Sequence, residues 1–265
     1  MTVSLPRLLT TTSLLSALAL VPVMGMAKTY KIGVTPGPHA QTLEFVQDIA
    51  AENGVNIEIL EFSDYVQPNA ALAAGDLDAN SFQHEPYLDA QIADRGYELT
   101  NVAFTITFPM GIYSERIDNL DDLQEGARVG IPNDPTNGGR ALLLLEAQGV
   151  LELDPDAGLK ATPLDVVGNP KKIRLVELDA AQLPRSLSDL DAAAVNGNYA
   201  QTAGMDPVED SIALEDPQGP YANILVVRTE DKDEEWVQTL IDSYHSPAVK
   251  DFVQETFENS VVVAW

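Results

Sequence analysis

Residues 80–89, NSFQHEPYLD, bring together a phenylalanine, a histidine and a tyrosine in a chain that has only three histidines and few aromatic residues. Phe82 and His84 face the same side of an extended segment, and Tyr87, at the start of the next predicted helix, can fold back beside them. Aromatic faces and edges contact polarizable sulfur favourably, so this group suits a pocket for a flat or sulfur-containing ligand. Ordinary packing of Phe82 and a helix-cap role for His84 explain the same residues equally well.

A second polar group separates a predicted strand, residues 127–132, from the helix that follows: Asn133, Asp134, Thr136 and Asn137. A helix N-terminus offers unpaired backbone N–H groups and a partial positive charge, which favour an anion. Arg140, in the first turns of that helix, adds a planar donor that matches a carboxylate. The alternative is that Asn133 or Thr136 caps the helix while Arg140 pairs with a surface acid.

Two asparagines lie in predicted apolar strands. Asn196 ends the strand at residues 192–196, and Asn223 lies inside the strand at residues 221–229. A buried amide is costly unless it is hydrogen-bonded, so each has a partner in the folded protein. That partner is either the local backbone or, together with Arg140, the α-amino and α-carboxylate groups of a ligand.

Composition and motifs exclude several classes of function. The chain has 15 basic and 41 acidic residues, a formal net charge of −26, which repels nucleic acid and anionic lipid. It has no cysteine, and therefore no thiolate metal site and no cysteine catalysis. The catalytic and nucleotide-binding motifs G-x-S-x-G, H-E-x-x-H, G-x-G-x-x-G and the P-loop are missing, and the histidines are not spaced as ligand pairs. We therefore predict no enzyme activity, no metal and no cofactor.

The N-terminal residues have the pattern of a secretory signal peptide. Arg7 precedes a mostly apolar run that ends in the small residues Gly25-Met26-Ala27. Residues 1–27 are therefore predicted to be removed after export. The remaining chain of roughly 238 residues is long enough for two lobes of about 100 residues each.

The rest of the chain alternates short apolar runs with longer amphipathic ones, as α/β proteins do. Two such sets without a flexible linker predict two lobes, each with a mainly parallel sheet flanked by helices and with a ligand cleft between them. We assign residues 28–108 and 228–265 to lobe 1, and residues 109–227 to lobe 2. The chain would cross between lobes near residues 108–113 and 221–227, and its closing helices would return to lobe 1.

Four segments occur in an order that resembles the NlpA lipoprotein family, the methionine-binding proteins of ABC importers. They are DYVQPNAAL…GDLDANSFQHEPYLD from Asp64, PNDPTNGGRALLLL from Pro132, QLPRSL from Gln182 and GPYANILVV from Gly219. The likeness runs from about Thr29 to Trp265. It implies the type II periplasmic-binding-protein fold, in which two α/β lobes close on the ligand.

The resemblance also implies which residues bind the ligand: Tyr65, Phe82, His84, Tyr87, Arg140, Asn196 and Asn223. The histidine and the three aromatic residues match the family's side-chain pocket. Arg140 matches the carboxylate-binding arginine, and the two asparagines match the amides that hold the amino-acid head group.

The function implied by the resemblance is capture of L-methionine and its delivery to a membrane permease with a cytoplasmic ATPase, by a protein that is a monomer. Three alternatives stay open: a ligand such as D-methionine or a methionine-containing dipeptide, another amino acid, or a non-transport surface protein that keeps the fold. Family members usually carry a cysteine after the signal sequence, and this chain has none. We therefore expect a freely diffusing periplasmic protein without a lipid anchor.

Overall fold

The computed structural model describes Met1, residues 28–258 and residues 260–265. The predicted signal peptide, residues 1–27, lies outside the described residues except for Met1. None of the described helices is long and apolar enough to span a membrane. The α-helices of the described residues are α1 Pro38–Glu52, α2 Gln67–Ala74, α3 Glu85–Arg95, α4 Pro135–Ala147, α5 Gly197–Thr202, α6 Glu235–Tyr244 and α7 Pro247–Phe257.

The strands follow the predicted apolar runs with small shifts at their ends. In the first half of the chain they are β1 Thr29–Val34, β2 Asn56–Glu61, β3 Ala79–His84, β4 Leu99–Phe104, β5 Ile106–Thr107, β6 Gly111–Tyr113 and β7 Arg128–Pro132. In the second half they are β8 Glu152–Leu153, β9 Val166–Gly168, β10 Arg174–Leu178, β11 Ala192–Val195, β12 Ala213–Leu214, β13 Asn223–Arg228 and β14 Val262–Val263.

The strands form two five-stranded sheets of matching design. The first has the order β2-β1-β3-β13-β4 and the second the order β10-β7-β11-β6-β12. In each sheet the fourth strand runs antiparallel to its neighbours, while the first three strands are parallel. Each antiparallel strand is the one that enters just after the chain has crossed from the other sheet.

The sheet order places one segment in a different lobe from the one predicted. Residues 223–227 lie in the first sheet as part of β13. The sequence pattern had assigned them to lobe 2 as a crossover. The strand pairs there with both β3 and β4. The crossing segments are therefore the short stretches just before β6 and just before β13. The first of the closing helices packs on the first sheet, because Trp236, Val237 and Leu240 of α6 are buried in the same core cluster as β1.

Local sequence signals set the ends of α3 and the start of α4. Proline occupies the first turn of α3 and of α4, where a missing backbone N–H costs nothing. The Asp134 carboxylate caps α4 by accepting from the Asn137 backbone nitrogen at 2.9 Å. Gly96 ends α3 in the left-handed conformation. The start of α4, and Arg140 with it, is thereby fixed against β7.

Gly139 lets α4 approach the turn at residues 158–161, and we expect Gly139→Ala to destabilise the protein. An added Cβ would lie 2.5 Å from the Leu159 carbonyl oxygen and 3.0 Å from the Ala161 nitrogen, both backbone atoms. Overpacking of this kind costs about 1–3 kcal/mol, more than the ~1 kcal/mol that alanine gains inside a helix. Urea unfolding measures the change.

Gly219→Ala is the matched control, because its added Cβ would find its nearest neighbours at 3.6 Å. The control should change the free energy of unfolding by less than about 0.5 kcal/mol. Equal effects of the two substitutions would contradict the close approach at Gly139.

Candidate ligand-binding site

The sheet topology brings the predicted site residues to one place. His84 is the last residue of β3, and Asn196 follows the last residue of β11. Both strands run parallel to their sheets' first strands, so both residues lie at a carboxyl edge, where α/β proteins bind ligands. Asn223 begins the antiparallel strand β13 and is paired in register with His84, so it lies at the same edge.

A cavity of about 340 Å³, solvent at its mouth included, lies between the two edges. All seven residues named from the sequence line it: Tyr65, Phe82, His84, Tyr87, Arg140, Asn196 and Asn223. Six further lining residues were not proposed as ligand contacts: His39, Gln83, Phe108, Asn137, Gly197 and Asn198. Of these, only Asn137 carried a local signal, the polar loop before α4.

Aromatic rings form one wall of the cavity. The Tyr65 ring lies 6.0 Å from that of Phe82 and 6.2 Å from that of Tyr87, and the Phe82 and Tyr87 rings meet edge to face at 6.1 Å. The Tyr87 hydroxyl donates to the Tyr65 backbone carbonyl oxygen at 2.9 Å, which fixes the Tyr87 ring. Such edges and faces suit a thioether or another apolar side chain.

His84 both caps α3 and lines the cavity. Its Nδ1 caps α3 by accepting from the Tyr87 backbone nitrogen at 3.2 Å, and its Nε2 lies 3.2 Å from Asn137 Oδ1. Asn137 Nδ2 donates to the Asp134 carboxylate, so Oδ1 is an acceptor and His84 carries its proton on Nε2. Burial, followed by the charge of Arg140, lowers the pKa of His84 to about 3. The imidazole is therefore neutral at physiological pH.

Asn196 presents an unpaired acceptor in the cavity wall. Its Nδ2 donates to Asn137 Oδ1 at 2.8 Å, which orients the amide. Its Oδ1 is buried and has no hydrogen-bond partner among the described residues. An orphaned buried acceptor is costly in a finished core, so it indicates a site for a donor such as an ammonium group.

Arg140 is held by an acid that the sequence did not identify. Only 4% of its surface is exposed, and its Nε donates to Glu215 Oε1 at 2.9 Å. Its Nη2 donates to Glu215 Oε2 and, at 2.8 Å, to the Phe108 carbonyl oxygen, while the guanidinium lies 4.4 Å from the Tyr221 ring centre. Nη1 has no acceptor among the described residues. The pair of opposite charges leaves the site close to neutral, which suits a zwitterion.

The two lobes are closed over this cavity. The Tyr65 hydroxyl donates to Asn198 Oδ1 at 2.6 Å, and the Tyr199 hydroxyl donates to the Ser63 carbonyl oxygen at 3.2 Å. The Tyr65 and Tyr199 rings pack with centres 4.9 Å apart. Both contacts join a residue beside the first sheet to one beside the second, so closure buries the aromatic wall.

Two mixed α/β lobes that close over a cavity with a polar end and an aromatic end define a periplasmic substrate-binding protein. The chain belongs to the NlpA lipoprotein family, whose model matches residues 30–265. The two-lobed α/β fold predicted from the sequence is thereby confirmed, and so is the family resemblance.

Relatives and solved structures agree with that assignment. The chain is 48% identical over 236 residues to a probable D-methionine-binding lipoprotein MetQ of Vibrio cholerae, covering 89% of this chain and 88% of the relative. It is 45% identical over 238 residues to the Escherichia coli D-methionine-binding lipoprotein MetQ, with the same coverage. A nutrient-binding protein from Burkholderia cenocepacia, solved bound to methionine, is 50% identical with a TM-score of 0.87, covering 89% of this chain and 100% of that one.

One expectation is wrong. The missing cysteine predicted a periplasmic protein without a lipid anchor, but the family and the Vibrio cholerae and Escherichia coli relatives are named lipoproteins. The prediction depended on one missing residue type, whereas the comparisons match nearly nine-tenths of the chain. The periplasmic location agrees with a similar structure from Coxiella burnetii, an ABC transporter periplasmic substrate-binding protein that is 44% identical with a TM-score of 0.86, covering 89% of this chain and 100% of that one.

Proposed function

We propose that this protein binds methionine in the interlobe cavity and delivers it to the permease of an ABC importer that is driven by a cytoplasmic ATPase. The observation that carries the proposal is the convergence of all seven expected residues on one cavity with an aromatic wall and an orphaned acceptor. The relatives named for D-methionine binding and the similar structure bound to methionine support the same ligand. In this proposal the protein is a binding component and a monomer, and it catalyses no reaction.

The polar end of the cavity would bind the amino-acid head group. Arg140 has one donor nitrogen left after its contacts with Glu215 and Phe108, and that nitrogen suits the α-carboxylate. Asn196 Oδ1 suits the α-ammonium group, and Asn223, at the start of β13, completes the set. A ligand that lacks either head group leaves these buried groups unpaired, so discrimination against it is strong.

The aromatic end would bind the thioether, with weaker discrimination. One methylene in an apolar pocket is worth roughly 1–3 kcal/mol, so ligands of similar length compete. D-methionine is the second candidate, because the Vibrio cholerae and Escherichia coli relatives carry it in their names. It would place the same thioether in the wall and exchange the orientations of the head groups.

Ligand binding would favour the closed state because the ligand touches both lobes. Phe82, His84 and Asn223 belong to the first sheet and its connections, and Arg140 and Asn196 to the second. We propose that lobe 1 comprises residues 28–108 and the segment from β13 onward, with lobe 2 between them. A ligand that binds the closed state more tightly shifts the population towards closure, and the permease can then recognise the closed form.

Calorimetric titration tests the proposal. The protein is unfolded and refolded to remove any co-purified ligand, then titrated with L-methionine, D-methionine, glycyl-methionine, leucine and glutamine. We expect L-methionine to bind saturably at one site per chain and leucine to bind with lower affinity. Saturable binding of D-methionine alone would make D-methionine the ligand. No binding heat from any of the five compounds would contradict the assigned site.

A further inference from the structure

His39 has a buried ring nitrogen that no described residue satisfies. The side chain lies in the first turn of α1, is 2% exposed and lines the cavity. Its Nδ1 lies 2.7 Å from Thr35 Oγ1, whereas Nε2 has no hydrogen-bond partner among the described residues. Burial without a partner is costly, so Nε2 is suited to meet a group that enters the cavity.

The hydrogen bonds around Thr35 decide which ring nitrogen carries the proton. Asn198 Nδ2 donates to Thr35 Oγ1 at 3.4 Å, and the Thr35 hydroxyl is itself fully buried. If His39 Nδ1 also donated to this oxygen, the Thr35 proton would be buried without an acceptor. Donation from Thr35 to Nδ1 leaves only the Nε2 hydrogen without a partner among the described residues, so the neutral ring carries its hydrogen on Nε2. His39 is therefore a donor towards the cavity.

We infer that His39 donates a hydrogen bond from Nε2 to the α-carboxylate of the bound amino acid. The inference rests on the proposed function and adds a specificity residue to it. The His39 ring packs on Phe108 with centres 4.5 Å apart, and the Phe108 carbonyl oxygen accepts from Arg140. Both donors thus flank Phe108, and the two oxygens of a carboxylate can accept from both. The first turn of α1 adds partial positive charge, which favours an anion there.

The donor is positioned from the opposite lobe. Asn198 belongs to α5, beside the second sheet, and reaches Thr35, which follows β1 of the first sheet. Its Oδ1 accepts from the Tyr65 hydroxyl at 2.6 Å, which holds the amide in the orientation that donates to Thr35. Closure of the lobes therefore completes the arrangement that fixes the His39 proton on Nε2, so this donor is available in the state that holds the ligand.

Calorimetry with two ligands and two substitutions tests the inference. His39→Phe keeps a ring against Phe108 and removes the donor, whereas the amide nitrogen of His39→Gln can take the position of Nε2. The ligands are L-methionine and L-methioninol, in which a hydroxymethyl group replaces the carboxylate. We expect His39→Phe to weaken L-methionine binding roughly 10- to 100-fold and methioninol binding by less than about threefold. His39→Gln should stay within about fivefold of the wild type for L-methionine.

The possible outcomes separate this inference from the proposed function. Wild-type protein that binds no methionine overturns both. Wild-type binding with His39→Phe unchanged within twofold, or with equal losses for both ligands, overturns the role of His39 and leaves the function standing. Thermal unfolding without ligand checks that the variants are folded. If His39→Phe does not fold, His39→Asn replaces it, because the shorter amide cannot reach the Nε2 position and must bind L-methionine more weakly than His39→Gln does.

Discussion

Replacing Arg140 by alanine will lower both methionine affinity and folding stability, and only the stability will return when Glu215 is replaced as well. The single substitution leaves Glu215, whose side chain is 14% exposed, without its guanidinium partner. Removing one member of a buried ion pair costs about 3–5 kcal/mol because the remaining charge is uncompensated. Denaturant unfolding of the ligand-free protein measures this loss directly.

The affinity loss has a separate origin. Arg140 Nη1 is the guanidinium donor left for the ligand carboxylate, and a hydrogen bond between charged groups contributes about 1.5–3 kcal/mol. We therefore expect Arg140→Ala to weaken L-methionine binding by roughly 10- to 100-fold or more in calorimetry. Binding unchanged within twofold would remove Arg140 from the head-group site.

The double variant Arg140→Ala, Glu215→Gln separates the two effects. A neutral amide at position 215 can still accept from the Met110 backbone nitrogen, which donates to Glu215 Oε2 at 3.1 Å. The double variant should recover most of the lost free energy of unfolding and none of the lost affinity. Recovery of affinity would mean that Arg140 acts only by neutralising Glu215.

Seven of the residues that line the cavity could be named from the sequence and its family resemblance, but most of their partners could not. His84 and Asn223 are 139 positions apart, and their direct pairing depends on the register of β3 with β13. No local pattern specifies that register. The chain has 41 acidic residues, and no local pattern indicates which of them pairs with Arg140. Glu215 reaches Arg140 because it follows β12, which ends at the carboxyl edge of the second sheet. Sequence separation conceals both contacts.

His39 shows a second limit. A single histidine at the start of a helix has no diagnostic spacing, and its partner Thr35 only marks the end of an ordinary strand. What makes His39 a candidate is an unsatisfied nitrogen, and that property exists only when the cavity has walls. The fold itself was predictable because alternating apolar runs, helix-starting prolines and Gly96 are local signals.

Acidification will destabilise the closed, methionine-saturated protein well above the range in which carboxylates titrate. Burial lowers the pKa of both His39 and His84 to about 3, whereas a histidine in the unfolded chain has a pKa of about 6.5. Between these values the unfolded chain binds more protons than the folded protein, so the free energy of unfolding falls as the pH falls. The stabilising contribution is complete above about pH 6.5 and is lost progressively towards pH 3.

From pH 7 to pH 5 the two histidines together should reduce the free energy of unfolding by about 4 kcal/mol. Urea unfolding at pH 7, 6 and 5 measures the change. Asp165 and Asp191 also have lowered pKa values, mainly because backbone N–H groups donate to their carboxylates. Both are ionised in the folded and unfolded states for most of this range, so they contribute little above pH 5.

His39→Phe is the control, because it removes one titrating group and should reduce the pH-dependent loss by about half, or ~2 kcal/mol. A pH profile of stability that is identical in the wild type and the variant would mean that His39 has the same pKa in the folded protein as in the unfolded chain. Both ring nitrogens would then carry a hydrogen below about pH 6.5, so the Nε2 hydrogen would not depend on the Thr35 contact in that range.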